Sequence, residues 1–188
     1  MAVSFESHPF WDFSYGVYGK DGVSPALIGF QDRHGMDVNM LFLCLWMGHS
    51  GRGVLNTTAM AQALAVSHSW NPEIVCGLRA LRIRLRDGVA HVPKELSDAV
   101  RHQILEIEID CEHVEQVALA AGIHASENVT IAADQRLEFC LDNLARYFAQ
   151  FDLSPSPQDS VDLVTVLAAV FPEIDRSEIG RRCKALVS

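Results

Sequence analysis

The run Val38–Met47 is apolar at every position except Asn39, and no other feature constrains the chain as much. Wound as a helix, it has no face to give to water, so other elements must cover it on all sides. A short continuous apolar run also fits a buried strand, because periodicity alone does not separate the two. Asp37, directly before it, supplies a helix N-cap, and its Leu and Met content and helical neighbours favour helix. A central helix wrapped by others implies a bundle.

The flanking punctuation agrees. Pro9 opens a first helix through Phe10–Tyr18, and Ser24-Pro25 opens a second that Gly35 closes in the left-handed conformation. Asn56-Thr57-Thr58 caps a helix to about Ser67, and Asn71-Pro72 starts another that runs to Asp87-Gly88. From about Pro93 to Ala121, Val100, Ile104, Ile107, Cys111, Val114, Ala118 and Ala121 step by four and three. Leu137, Leu141, Leu144, Phe148 and Phe151 repeat the step between about Ile131 and Phe151. Two such seams are expected to pack as an antiparallel pair, the alternative being that one seam is an oligomer interface. The stretch Asp152–Asp159 reads as a Ser/Pro linker or turn between a helical domain, 1–151, and a C-terminal helical hairpin, 160–188, expected to dock. In that hairpin Ser160 caps Val161–Phe171, and Asp175 or Ser177 starts the last helix. The expected fold is all-α: a compact multi-helix bundle of about seven to nine helices with a long antiparallel pair and that terminal hairpin.

Charge and cysteine usage narrow the function. The formal net charge of −9 is uneven: residues 1–95 hold eight acids and eight bases, whereas 96–188 hold sixteen acids and seven bases. Binding to nucleic acid or an anionic membrane needs clustered Lys and Arg, so neither is expected as a partner. The five cysteines are odd in number and include no C-x-x-C pair, which reads as reduced thiols packed as small hydrophobes. Met1–Pro9 lacks the basic start and apolar stretch of a leader, and Met40–Met47 is far short of a membrane span. The expected compartment is the cytoplasm.

The densest polar group lies in the first forty residues, in Phe10-Trp11-Asp12-Phe13-Ser14 and in Gln31-Asp32-Arg33-His34-Gly35-Met36-Asp37-Val38-Asn39. The run FWDFS…LIGFQDRHGMDVNMLFLCLWMG resembles an uncharacterised proteobacterial family of small helical proteins, over about residues 10–90. Met36 and Met47 stand where that pattern has leucine. The resemblance implies a shared bacterial helical domain and carries no catalytic residue with it.

Read physically, one tight turn gathers Gln31, Asp32, His34, Asp37 and Asn39, with Trp11 nearby, as a candidate binding site or as caps for two buried helix ends. Asp32 is placed to pair with His34 or Arg33. Arg79, Arg82 and Arg86 share a helix face, with Arg84 off it. That stripe suits an acidic partner, or the Glu106–Glu115 face of the same chain. Reversing Arg79 and Arg82 is expected to weaken a complex without unfolding the chain.

Asp110-Cys-Glu-His113 is half of a di-iron bundle motif without its second half, so it reads as a solvated acidic face and no metal is expected. The loop Gly48-His49-Ser50-Gly51-Arg52-Gly53 lacks the Walker spacing and reads as a flexible connector. The segment after Asp175 has the look of a helix-turn-helix reader, but from Asp152 on there are six acids against four bases. No catalytic set and no cofactor signature is present. The leading expectation is a non-enzymatic protein–protein interaction or regulatory factor that engages a partner or a second copy. The alternative is a small enzyme or ligand-binding protein with a polar site among the first three helices.

Overall fold

The apolar run becomes α3 (Val38–His49), in which every residue from Asn39 to Gly48 is buried. It is the centre of the computed structural model, which describes residues 7–151, 153, 156–184 and 186. The sequence readings at Met1–Glu6 and at Asp152, Ser154 and Pro155 lie outside those residues. Among the described residues all regular structure is helical, as an all-α bundle requires.

Around α3 stand α1 (Pro9–Tyr18), α2 (Val23–His34), α4 (Thr57–Trp70), α6 (Lys94–Ala120) and α7 (Ala133–Phe148). Local chemistry accounts for most boundaries. His8 accepts the Phe10 N–H ahead of Pro9, Gly35 ends α2 at φ 66°, Asp37 caps α3, and Asn56 caps α4. Helix α2 starts earlier than its expected Ser24 cap, at Val23 after Gly22 in the left-handed conformation. Helix α8 (Pro157–Val170) also starts early: Ser156, not Ser160, caps it, in a reciprocal capping box with Asp159. It packs along α2 and carries α9 (Arg176–Cys183), which Asp175 caps.

The two long helices do not form the expected pair. Helix α7 lies along α3 instead, so tightly that a Cβ on Gly48 would sit 2.4 Å from both the backbone N and the Sγ of Cys140. Its seam residues Leu137, Leu141, Leu144 and Phe148 are buried, Phe148 against Phe30 of α2 as well. Helix α6 pairs with α5 (Cys76–Arg86), and only Ile104 of its expected seam is fully buried. The face that α6 turns inward is polar: Ser97, Glu108, His113, Glu115 and Gln116 join Ile104, Leu119 and Ala120. A buried stripe and an apolar stripe coincide only where no partner exists for buried charge, and here partners exist.

Asn71-Pro72 does not start a separate helix. Pro72 has no N–H and its ring would crowd the carbonyl four residues back, so a regular helix cannot pass through it. The chain continues from α4 into α5 through a wide π-helical turn, Asn71–Val75, in which the Cys76 N–H reaches the Asn71 carbonyl. The loop after α3 is not a slack connector either. Gly51, at φ 70°, lies so close to Asn128 that a Cβ would meet its carbonyl. The Asn128 N–H bonds the Ser50 carbonyl at 2.9 Å, and the Arg52 guanidinium stacks 4.2 Å from the Trp46 ring. All five cysteines are free; Cys44, Cys140 and Cys183 are fully buried.

Candidate functional site

Helix α3 begins inside the protein, which exposes the sequence to a physical problem: the orphan N–H groups of its first turn need acceptors away from water. Asp37 supplies one, taking the Asn39 N–H at 2.8 Å with Oδ1 and the Ser67 hydroxyl at 2.6 Å with Oδ2. The N–H of Asp37 itself donates to Tyr147 Oη at 2.9 Å. Asn39, the one polar residue of the run, sends its amide N–H to Glu115 Oε2 at 2.7 Å and receives Gln116 at 2.8 Å. Gln116 in turn receives the Ser14 hydroxyl at 2.9 Å. The π-helical turn aims Asn71 at the same Glu115 oxygen, at 3.2 Å. Five helices and the turn are thereby joined through one polar chain in which Glu115 is wholly buried.

Burial first, and then the neighbouring Asp37 carboxylate, push the Glu115 carboxyl well above the ordinary range. Its Oε1 meets no hydrogen-bond donor among the described residues. Asn39, bonded to both Glu115 and Gln116, ties α3 to α6 in one register.

A second acidic group lies one to two turns earlier on α6. Glu108, 3% exposed, takes Arg79 Nε at 2.9 Å on Oε1, and on Oε2 takes Arg82 Nε at 2.6 Å. Arg79 also reaches Glu112 at 2.7 Å and Gln31 on α2. Burial pushes the Glu112 carboxyl up to about 7 against the pull of Arg79, and the Glu108 charge adds to the rise. The Arg stripe thus takes up its intramolecular alternative at Arg79 and Arg82, while Arg86 has only the exposed Asp87, 3.6 Å away. Two expectations change accordingly. The Glu106–Glu115 face is not uniformly solvated, and reversing Arg79 and Arg82 would add two charges of the wrong sign around a buried carboxylate.

The six residues expected to converge are divided between two places. Gln31 reaches α5, Asn39 reaches α6, and Asp37 reaches α4 and α7. Trp11 lies on the same side, stacked on His113 with centroids 4.2 Å apart and planes 7° from parallel. Asp32 is exposed, within 3.5 Å of the Gln31 amide and of nothing more strongly bonded. His34 turns the other way, to α8, where Nε2 lies 2.9 Å from Asp159 Oδ1. Arg33 joins it there, bonding Asp159 and, at 2.6 Å, Asp162. The expected pairing of Asp32 with either is displaced because the N-terminus of α8 brings two carboxylates closer. Burial disfavours the charged form of Asp159, yet the Ser156 N–H, His34, the Ser156 hydroxyl and Arg33 together hold its carboxyl far below the usual range.

Glu115, Glu108, Gln116 and Asn71 escape a reading of the sequence because polar residues on an amphipathic helix are taken as its wet face. The signal lies in pairing: Arg79 and Arg82 are three apart, Glu108 and Glu112 four apart, and a short Gly88 joint folds the two helices antiparallel. Among the described residues no group of His, Cys, Asp and Glu is arranged to hold a metal ion. No described helix is long and apolar enough to cross a membrane.

Outside this polar frame the α5–α6 hairpin is bare. Helix α5 has no buried residue and packs chiefly on α6 and the π-helical turn, with Arg79 reaching Gln31 of α2. Leu81, Leu96, Val100 and Ile107 are exposed by 50%, 61%, 48% and 49%. No curated protein and no solved structure matches the chain. Residues 9–119, more than half of the 188, match the family described as a protein of unknown function (DUF2390), and the chain belongs to that family.

Proposed function

We propose that the protein is a non-enzymatic protein–protein interaction or regulatory factor whose interface is the outer face of the α5–α6 hairpin. The observation that carries this reading is the apolar stripe of Leu81, Leu96, Val100 and Ile107, which two adjacent helices hold open to water. Contiguous exposed apolar surface is costly for a monomer and is the usual mark of a docking surface. The Arg79 and Arg82 pairs with Glu108 serve it by fixing α5 rigidly to α6, so the face is formed before any partner arrives. Free cysteines support a cytoplasmic setting. The polar frame around Glu115 supports this reading over a ligand site, since Ser14, Asn39, Asn71, Gln116 and one oxygen of Glu115 are engaged with one another.

The test is a pair of substitutions, Leu96→Glu with Val100→Glu, in the tagged full chain. The two side chains are 61% and 48% exposed, so the melting temperature should hold within a few degrees, while complexes recovered from cells by crosslinking fall away. Unchanged recovery with an intact fold would refute the assignment of the face.

A further inference from the structure

The identity of the partner rests on that reading of the face. With Arg82 and Glu108 turned toward each other, helical geometry brings Ile74 and Leu81 of α5 out on the same side of the hairpin as Leu96, Val100 and Ile107 of α6. One flat face therefore carries an apolar strip from both helices. Its charges are separated by helix. The α5 side carries Arg84, and the α6 side carries Asp110, with Glu106 at its margin. Among the described residues none of these three makes an ion pair of its own, although Arg79 and Arg82 beside them are fully engaged.

We infer that the face is covered by a second copy of this chain, with each α5 laid against the partner's α6 and the two hairpin tips pointing the same way. The charges select that arrangement. Laying α6 on α6 would set Asp110 and Glu106 against their own copies, and laying α5 on α5 would do the same for Arg84, both repulsive. Only α5 on α6 sets Arg84 against the partner's Asp110, and a two-fold axis parallel to the hairpin makes that contact twice. In the same arrangement Leu81 faces the partner's Ile107, and Leu96 packs among the residues at the partner's tip. The product is a four-helix bundle assembled from two hairpins, in which Leu96, Val100, Ile107 and Val114, spaced by four and then by seven, become a buried seam.

The experiment is sedimentation of the full chain and of two charge reversals, Arg84→Glu and Asp110→Arg, alone and mixed. The unaltered protein is expected to sediment at twice 20.8 kDa. Each reversal places two like-charge contacts in its own dimer and should weaken it by at least about tenfold. An equimolar mixture should restore the dimer, because in the heterodimer the two reversed side chains meet each other with opposite charge at one contact, while unaltered Arg84 and Asp110 meet at the other. A monomeric unaltered protein at about 100 μM, a concentration chosen to favour even weak association, would overturn the inference. So would a dimer indifferent to both reversals, or reversals that weaken it without mutual rescue. If the protein is monomeric but Leu96→Glu with Val100→Glu still abolishes complexes in cells, the second copy is wrong and the interface reading survives. If neither is affected, both fall.

Discussion

Glu108 offers the sharpest test of how the hairpin is held. It is 3% exposed and its two oxygens are occupied by Arg79 and by Arg82, whose Nη2 adds a third bond at 3.1 Å. Replacing only Arg82 with Met removes two charge-assisted bonds but leaves Arg79 in place, and the expected loss is about 2–3 kcal/mol. Replacing both arginines leaves a buried carboxylate with no counter-charge, which costs about 3–5 kcal/mol. For a chain of this size about 1 kcal/mol moves the melting temperature by about 2–4 °C, so the double variant should melt about 6–20 °C lower.

The reverse deletion is not equivalent. Glu108→Leu strands two arginines whose side chains are 21% and 25% exposed and can turn to water. It should cost less than the double Met variant, and the triple variant Arg79→Met, Arg82→Met, Glu108→Leu should recover most of the stability, because an apolar set of similar volume replaces the buried ions. Urea unfolding followed by far-ultraviolet circular dichroism gives all four free energies. A double Met variant within about 1 kcal/mol of the parent would refute the argument that Glu108 is a desolvated charge, as would a triple variant no more stable than the double.

Three other contacts give measurable outcomes. Glu112 is protonated more readily in the fold, so its contribution is complete below the ordinary 4.5 and is lost as pH rises to about 7. Stability should therefore fall across that window by up to about 1.4 kcal/mol per pH unit for this group, and Glu112→Gln should reduce the slope without abolishing it, since Glu115 acts in the same direction; urea midpoints at both ends of the window measure this, and an unchanged slope contradicts it. Tyr147→Phe leaves the Asp37 N–H without its acceptor in a buried site and should cost about 1–3 kcal/mol with the helix content intact; a loss under about 0.5 kcal/mol would mean another acceptor takes its place. Gly48→Ala drives a methyl into the Cys140 backbone, and because backbone cannot yield as a side chain does, it should lose about 3 kcal/mol or more in thermal unfolding; a near-neutral result would show that α3 and α7 slide apart freely.

The helix ends are legible in the sequence because capping is local: Pro9, Gly35, Asp37, Asn56 and Asp175 each sit where the structure uses them. What the sequence hides is non-local. Pro72 marks a boundary in any isolated window, and only the packing of the π-helical turn against α6 shows that the helix passes through it. Helix α6 has a clean apolar 4-3 stripe, yet most of that stripe lies on the surface rather than against α7. The inward face of α6 is fixed by Arg79, Arg82, Asn39 and Asn71, which come from elsewhere in the chain, so no window along α6 contains the information. For the same reason Asp37 and Asn39 stand out as candidates while their partner Glu115, seventy-six residues beyond Asn39, does not.

The matched stretch, 9–119, contains every member of the polar frame except Tyr147 and stops just short of the end of α6. It does not contain α7, against which α3 makes its tightest approach. The two facts bear on each other through the burial of α3. A helix apolar all round needs cover on every side, and within 9–119 the polar frame fixes only the side toward α1, α4 and α6. Leu43, Cys44 and Met47 on that helix are 0–3% exposed, and Asn143 of α7 further ties the following loop, accepting the Leu55 N–H at 2.7 Å and donating to the Gly53 carbonyl at 3.1 Å. The polar frame therefore sets which residues of α3 and α6 oppose each other, while α7 supplies the burial that makes that register stable. Register and stability are divided between the matched and unmatched parts of one chain. The α5–α6 hairpin lies in the matched part but for the last residue of α6, and its outer face, which enters neither the polar frame nor the core, is the surface we propose for a partner.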